Sequence, residues 1–460
     1  MEQNLLKVRH YYYLLSMSKL LLLDYPRLLN ERFLQTDLGR LYQAIPFDEL
    51  AAALPGTAHS KSGRGCKPWL DVRGGIALLI LKHYTGLSDA LLTERLNTDW
   101  GMQQFCGILL KPHEQIKDTN LPGYWRTYIG KHLDINKLQQ ICAAHWKGYM
   151  NETNISMEDA TCYESRISHP TDIKLLWQSI HELYLLLQSY RKQYRQRKTR
   201  SNYTRHKNAY LDYQRTKKKT RRKEKRLRKQ LLKYLNRLIV SLEQLQAQYK
   251  FTCSNKEQKK INTIRTIYSQ QHQKAYGDGG AVKDRIVSLS KPYIRPIVRG
   301  KETKTVEFGA KVNKLQVDGI SFIQHFSYDA FNEGTQLQNC ICLHRRLFGK
   351  CTHHSADAIY ATNANRKYCT QNNIVTNFIP KGKQKLQDAA AAKTMRAELN
   401  KQRGTVLEGS FGNEKNHYLL GKVNARNEHT EKCWIFFGML TSNAVNISRR
   451  IQTIGQARAA

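Results

Sequence analysis

Apolar positions recur at helical spacing through most of the chain and give way to strand-like alternation in only a few short segments. Residues 30 to 135 read as helices. Val72 to Tyr84 forms one, and Thr85-Gly-Leu-Ser-Asp89 leads into a second, short helix ending near Leu96, with Ser88 placed as its N-cap. Two helices joined by a glycine-containing turn are compatible both with a helix-turn-helix that docks on DNA and with an ordinary helical pair. Farther along, Leu176, Ile180, Leu183, Leu187, Tyr190 and Tyr194 form one stripe, and Leu231, Leu235, Leu238, Leu242 and Leu245 a second. Both alternate steps of four and three, the seam of a coiled coil, and predict an antiparallel helical hairpin.

Strand patterns are fewer. Ile155 to Tyr163 alternates, as does Thr305 to Val317; Asp318-Gly319 supplies a hairpin turn and Ile320 to Tyr328 returns. A helix over Glu333 to Gly349, a strand over Ser355 to Tyr360, a helix from about Thr362, a strand over Ile374 to Ile379 and helices from Lys385 onward complete a mixed α/β order.

Charge changes the picture more than length does. The 460 residues are 40% hydrophobic, ample for a buried core, yet the formal net charge is +38, whose natural counterpart is a polyanion. The surplus is concentrated: Arg191 to Lys229 holds 19 Lys and Arg against two acids, Asp212 and Glu224. It falls between the two stripes, so the predicted hairpin carries it at its tip, with Tyr203, Tyr210 and Tyr213 interleaved. Two readings stand: an arm touching DNA phosphates through Lys217, Lys218, Lys219, Arg221, Arg222 and Lys223, or a solvated charge run. In Met1 to Leu23 an apolar run is broken by Lys19 and followed by Asp24, without a small-residue cleavage site, which argues against a signal peptide. No apolar stretch is long enough to span a bilayer, and ten cysteines without a secretory signal suit reduced thiols; a cytoplasmic, nucleoid-associated location is expected.

The candidate chemistry lies in carboxylates. Asp357 and Glu408 each sit in a distinctive string, His354-Ser-Ala-Asp-Ala-Ile-Tyr and Arg403-Gly-Thr-Val-Leu-Glu-Gly-Ser-Phe-Gly-Asn-Glu-Lys415. Asp159, in Met157-Glu-Asp-Ala-Thr, shares a strand face with Met157 and Tyr163, opposite Glu158, and a charge on that face needs a compensating partner. Three such acids could hold two Mg2+ ions (Mn2+ is an alternative) for phosphodiester chemistry. Glu333 is a weaker accessory candidate, or a helix-start acid. Asp172 reads as the cap of the helix beginning at Ile173. Gly409 and Gly412 disfavour helix and suggest close approach by backbone or DNA. Cys340, Cys342, His344, Cys351, His353 and His354 lack a zinc-site spacing, so buried thiols, exposed histidines and no zinc are expected.

Taken together, Asp159-Ala-Thr, His169-Pro-Thr-Asp-Ile173, Arg285 to Lys301, Glu307-Phe-Gly-Ala-Lys311, and the Asp357 and Glu408 strings resemble bacterial insertion-sequence transposases of the DDE class. Gly86-Leu-Ser-Asp89 and Phe105-Cys-Gly107 are similar to that group's helical leading domain. The resemblance implies an RNase H-like mixed-sheet core over 151–175 and 300–450, and a helical DNA-binding domain over 30–150. It further implies an inserted basic helical arm over 176–299, a helical extension over 1–29 and a tail over 451–460. It makes Asp159, Asp357 and Glu408 metal ligands, puts Glu408 on a helix, and implies double-stranded DNA as partner, homo-oligomers on DNA and no membrane. A wider signature, Tyr-x2-Arg-x3-Glu-x6-Lys, fits in part: Glu408 and Lys415 match, with Lys415 then a DNA contact, whereas Arg403 is displaced by one position and no tyrosine precedes it suitably. The alternatives are a DNA-binding protein that kept the fold and lost cutting, and an RNase H-like nuclease unconnected with transposition.

Overall fold

The computed structural model describes residues 25–56, 68–197, 202–277, 282–298, 306–382 and 386–459; Met1 to Leu23, Gly279, Gly280 and Lys301 lie outside them. Its centre is one mixed sheet built from β1 (Ile155–Glu164), β2 (Pro296–Val298), β3 (Val306–Val317), β4 (Ile320–Ser327), β5 (His353–Ala356) and β6 (Val375–Thr376). β3 pairs antiparallel with β1 on one side and with β4 and β2 on the other; β5 and β6 then add parallel to β1. The β3–β4 turn takes positive φ at Asp318 and Gly319, which aspartate's short side chain and glycine's lack of a Cβ permit. The strands after Glu333 are shorter than alternation suggests: the chain leaves β5 at Ala356 and makes a 3-10 turn over Ala358–Tyr360, and β6 keeps only two residues.

Among the described residues eight helices precede the sheet: α1 (Tyr25–Leu34), α2 (Asp37–Gln43), α3 (Phe47–Ala52), α4 (Val72–Thr85), α5 (Asp89–Thr98), α6 (Trp100–Phe105), α7 (Leu121–His132) and α8 (Ile135–Trp146). Ser88 caps α5 as expected, accepting from the Leu91 N–H at 3.2 Å. These helices share one hydrophobic core with the sheet and with the long carboxy-terminal helix (Glu428–Ala459): Trp125, Trp146, Leu315, Phe322, Trp434 and Phe437 are all buried in it. A glycine is required where α7 crosses that helix, since a Cβ at Gly130 would lie 2.7 Å from the His429 carbonyl.

The insertion is a four-helix bundle rather than a hairpin. α9 (Asp172–Gln193), α10 (Tyr203–Arg215), α11 (Arg221–Tyr249) and α12 (Asn255–Tyr276) run up, down, up and down. Arg228 near the start of α11 meets Asp172 at the start of α9, and Tyr249 at its end stacks on Tyr194. The two leucine stripes therefore lie side by side in parallel, and the loop carrying Lys217, Lys218 and Lys219 returns to the foot of the arm, not to its tip. α10 has no fully buried residue; its tyrosines pack on the bundle, Tyr203 on Tyr184 (ring centroids 4.1 Å apart) and Tyr210 on Trp177. Thr171, not Asp172, caps α9. Asp172 instead sits buried at the foot, accepting from Arg228, Gln271, Lys274 and Arg285 and so fastening three segments to α9.

After the sheet's hairpin, α13 (Leu337–Phe348) and α14 (Asn363–Gln371) cover the face that bears Glu158. α15 (Leu386–Gln402), a π-helical turn over Arg403–Leu407 and α16 (Glu408–His417) form one rod against the face that bears Asp159. The carboxy-terminal helix, α17, follows. Among the described residues no helix is long and apolar enough to cross a membrane.

Candidate active site

Two adjacent parallel strands put the first two acids at the same level. Met157 pairs with Ser355 and Glu158 with Ala356, so the next residues, Asp159 and Asp357, stand side by side where β5 ends. Asp357 is exposed and caps the 3-10 turn that follows, accepting from the Ala358 N–H at 2.7 Å. Glu408 opens α16, 52% exposed.

Alternation turns Asp159, Thr161 and Tyr163 to one face of β1, and each meets the rod that carries Glu408. Arg403 lies 3.4 Å from Asp159; Lys415 donates to the Thr161 hydroxyl at 2.9 Å; Tyr163 donates to Glu414. Lys314, the register partner of Asp159 on β3, is fully buried and donates to Ser410 and Glu414, each at 2.7 Å. These contacts dock α16 and so fix where Glu408 stands. Lys415 is thus held against the sheet in this arrangement.

Arg403 answers the demand for a partner to Asp159. One nitrogen of its guanidinium reaches both Asp159 and, at 3.2 Å, Glu408. The displacement of Arg403 by one position from the wider signature has a structural counterpart. Four residues separate Arg403 from Glu408 where the signature has three. The π turn, whose bonds close over one more residue than an α turn, absorbs the extra residue and returns Arg403 to the side of Glu408.

Burial pushes the Asp159 carboxyl up to about 6; the Ala160 N–H and Arg403 oppose this, while the negative charges of Glu333 and Asp357 add to it. Glu333 therefore belongs electrostatically to the same site, although it also pairs with Lys311 at 2.7 Å. It is fixed beside the Asp357 loop, because its short turn packs on Ala358–Tyr360 and Asn365 donates to the carbonyls of both Gly334 and Tyr360.

The face opposite Asp159 holds a group that sequence reasoning passed over. Glu158 is completely buried, accepts from Asn313 at 2.5 Å and faces His354 at 3.3 Å, while Tyr360 donates to Asn313. Its sequence signal is a second acid beside Asp159 in β1, turned by alternation to the opposite face with Ser156, Ala160 and Cys162. The expectation of exposed histidines is corrected here: His344 and His354 are buried, hydrogen-bonded to the Thr153 carbonyl and to Ser156, whereas Cys340 and Cys351 are buried as expected and Cys342 is exposed. Gly409 and Gly412 have open space where a Cβ would stand, so among the described residues no other backbone packs against that side of them.

The hard carboxylate oxygens of Asp159, Asp357 and Glu408 suit Mg2+ or Mn2+. Among the described residues, however, no three His, Cys, Asp or Glu side chains converge closely enough to hold an ion; Arg403 rather than convergence links Asp159 to Glu408. The six cations of the arm, Lys217, Lys218, Lys219, Arg221, Arg222 and Lys223, are all exposed at its foot. Compared with protein-family models, with characterised proteins and with solved structures, the chain matches none.

Proposed function

We propose that this chain is a metal-dependent DNA-cutting and DNA-joining enzyme, a transposase of the DDE class that acts on double-stranded DNA at the ends of its element. The observation that carries this reading is the side-by-side placement of Asp159 and Asp357 on adjacent parallel strands, with Glu408 tied to Asp159 through Arg403. The strand order supports an RNase H-like core: an antiparallel β4-β3-β1 meander extended on the far side of β1 by parallel β5 and β6. Charge supports the partner. The net +38 and the exposed lysines and arginines at the foot of the arm suit a phosphate backbone, which is contacted without reading sequence.

Asp159, Asp357 and Glu408 would hold divalent ions, with Glu333 as an accessory acid. Such ions, when bound, supply an activated water for cutting and stabilise the oxygen that leaves. The chain's own residues orient the site: Lys314, Glu414 and Tyr163 fix α16, and the Glu158–His354 contact ties β1 to β5 beneath the two aspartates. Since two element ends must be held at once, the reading includes a homo-oligomer on DNA.

One observation favours a second reading, a DNA-binding protein without cutting activity: Arg403 already neutralises two of the three acids. The test is Mg2+-dependent nicking and joining of duplexes that carry the DNA bordering the gene, inspected first for terminal inverted repeats. Nicking and joining support the transposase, nicking alone an RNase H-like nuclease, and binding without either the second reading.

A further inference from the structure

Arg403 reaches Asp159 and Glu408 through the same nitrogen, Nη1, and its Nε is buried without a hydrogen-bond partner among the described residues. A guanidinium that grips a carboxylate firmly does so as a fork, with two parallel N–H donors. Arg403 instead touches each acid at a single point, at 3.2 and 3.4 Å, which is a loose hold. It is also carried on a π-helical turn, which tightens to α geometry when the chain slips by one residue. Relaxation would turn Arg403 away from Glu408, because five α-helical steps of about 100° leave two side chains roughly 140° apart.

The electrostatics call for a resident cation. Glu333 and Asp357 act on Asp159, and Arg403 bridges Asp159 to Glu408; among the described residues Glu333 has Lys311 while Asp357 has a backbone N–H. Without Arg403, Asp159 and Glu408 would repel each other and their neighbours across a partly buried gap.

We propose that Arg403 is a built-in counter-cation that occupies the carboxylate site and must withdraw before Asp159 and Glu408 can take a divalent cation. This rests on the metal-dependent reading above and adds to it a latch: the site is held closed by the protein's own cation and opens through the π turn. Arg403 is then a positioning residue that competes with the metal, so its removal tightens metal binding, where loss of a merely structural contact would weaken it.

The experiment is titration of the full-length protein with Mn2+, without DNA, following the electron paramagnetic resonance signal of free Mn2+. Wild type is compared with Arg403→Gln, Arg403→Lys and Arg403→Gln/Glu408→Gln, each checked for folding by circular dichroism. Arg403→Gln is expected to bind Mn2+ about tenfold more tightly than wild type, Arg403→Lys to stay near wild type, and the double variant to lose the gain. Equal or weaker binding by a folded Arg403→Gln protein, with Mn2+ still bound by wild type, overturns the latch alone. A gain that survives Glu408→Gln also overturns it, because the tighter ion then sits elsewhere. Absence of Mn2+ binding in every variant removes both the latch and the metal-dependent reading.

Discussion

Replacing Asp159 with asparagine should make the protein more stable at neutral pH while removing its proposed activity. Asp159 is 19% exposed, and its carboxyl is raised from 3.8 to about 6, chiefly by burial. Because its folded pKa exceeds its unfolded one, the folded chain holds a proton that the unfolded chain has lost between about pH 4 and pH 6. Stability therefore falls as pH rises through that window, and the whole penalty is present above it. At 1.36 kcal/mol for each tenfold change in proton affinity, the penalty is about 3 kcal/mol. The asparagine side chain keeps an oxygen for the Ala160 N–H and carries no charge to desolvate. Urea unfolding of wild type and Asp159→Asn at pH 4 and pH 7.5 measures the effect. The variant should be within about 1 kcal/mol of wild type at pH 4 and roughly 2 to 3 kcal/mol more stable at pH 7.5, because only there is the wild-type carboxylate charged. A difference between the two proteins that is the same at both pH values would refute the argument, since the desolvated carboxylate would then not be what titrates.

Two further outcomes follow from the same geometry. Neutralising Lys217, Lys218, Lys219, Arg221, Arg222 and Lys223 together should weaken binding to unrelated duplexes alike and reduce the log–log salt slope by about 5, at roughly 0.9 per lost phosphate contact; an unchanged slope in a fluorescence titration removes the foot of the arm from the interface. Lys314→Met should destabilise the fold by about 3 to 5 kcal/mol, because it strands the buried Glu414 carboxylate, and adding Glu414→Leu should recover much of that loss; no recovery in the double variant would mean that the pair does not dock α16 as described.

Local chemistry is legible where one residue type has one job. Asp318-Gly319 announces the hairpin, Ser88 the start of α5, and the alternation around Asp159 a strand whose charge needs a partner. The partner itself is not legible: Arg403 reaches Asp159 only because the π turn absorbs an extra residue, and no periodicity in the sequence marks such a turn. The bundle departs from the expected hairpin because leucine stripes record which face is buried and not which way the helix runs. α10 has few apolar positions of its own, so nothing signals that it returns the chain to the foot and leaves α9 and α11 parallel. The amino-terminal helices also read as a separate unit, since their union with Trp434 and Phe437 of α17 spans hundreds of residues. Asp172 reads as a cap because capping is local, whereas its four donors come from three distant segments.

Whether Asp159, Asp357 and Glu408 form the proposed metal-dependent DNA-cutting site is decided at Glu408. Glu408→Gln removes a charged ligand without changing its size, and the residue is 52% exposed, so the fold should tolerate it. Wild type, Glu408→Gln and Lys415→Ala are assayed side by side for Mg2+-dependent nicking and for gel shift of the same duplex. Glu408→Gln is expected to bind DNA nearly as wild type and not to nick it. Lys415→Ala, which loses a cation held on Thr161, should bind more weakly and nick at a reduced rate. A Glu408→Gln protein that cuts at close to the wild-type rate would remove Glu408 from the active site.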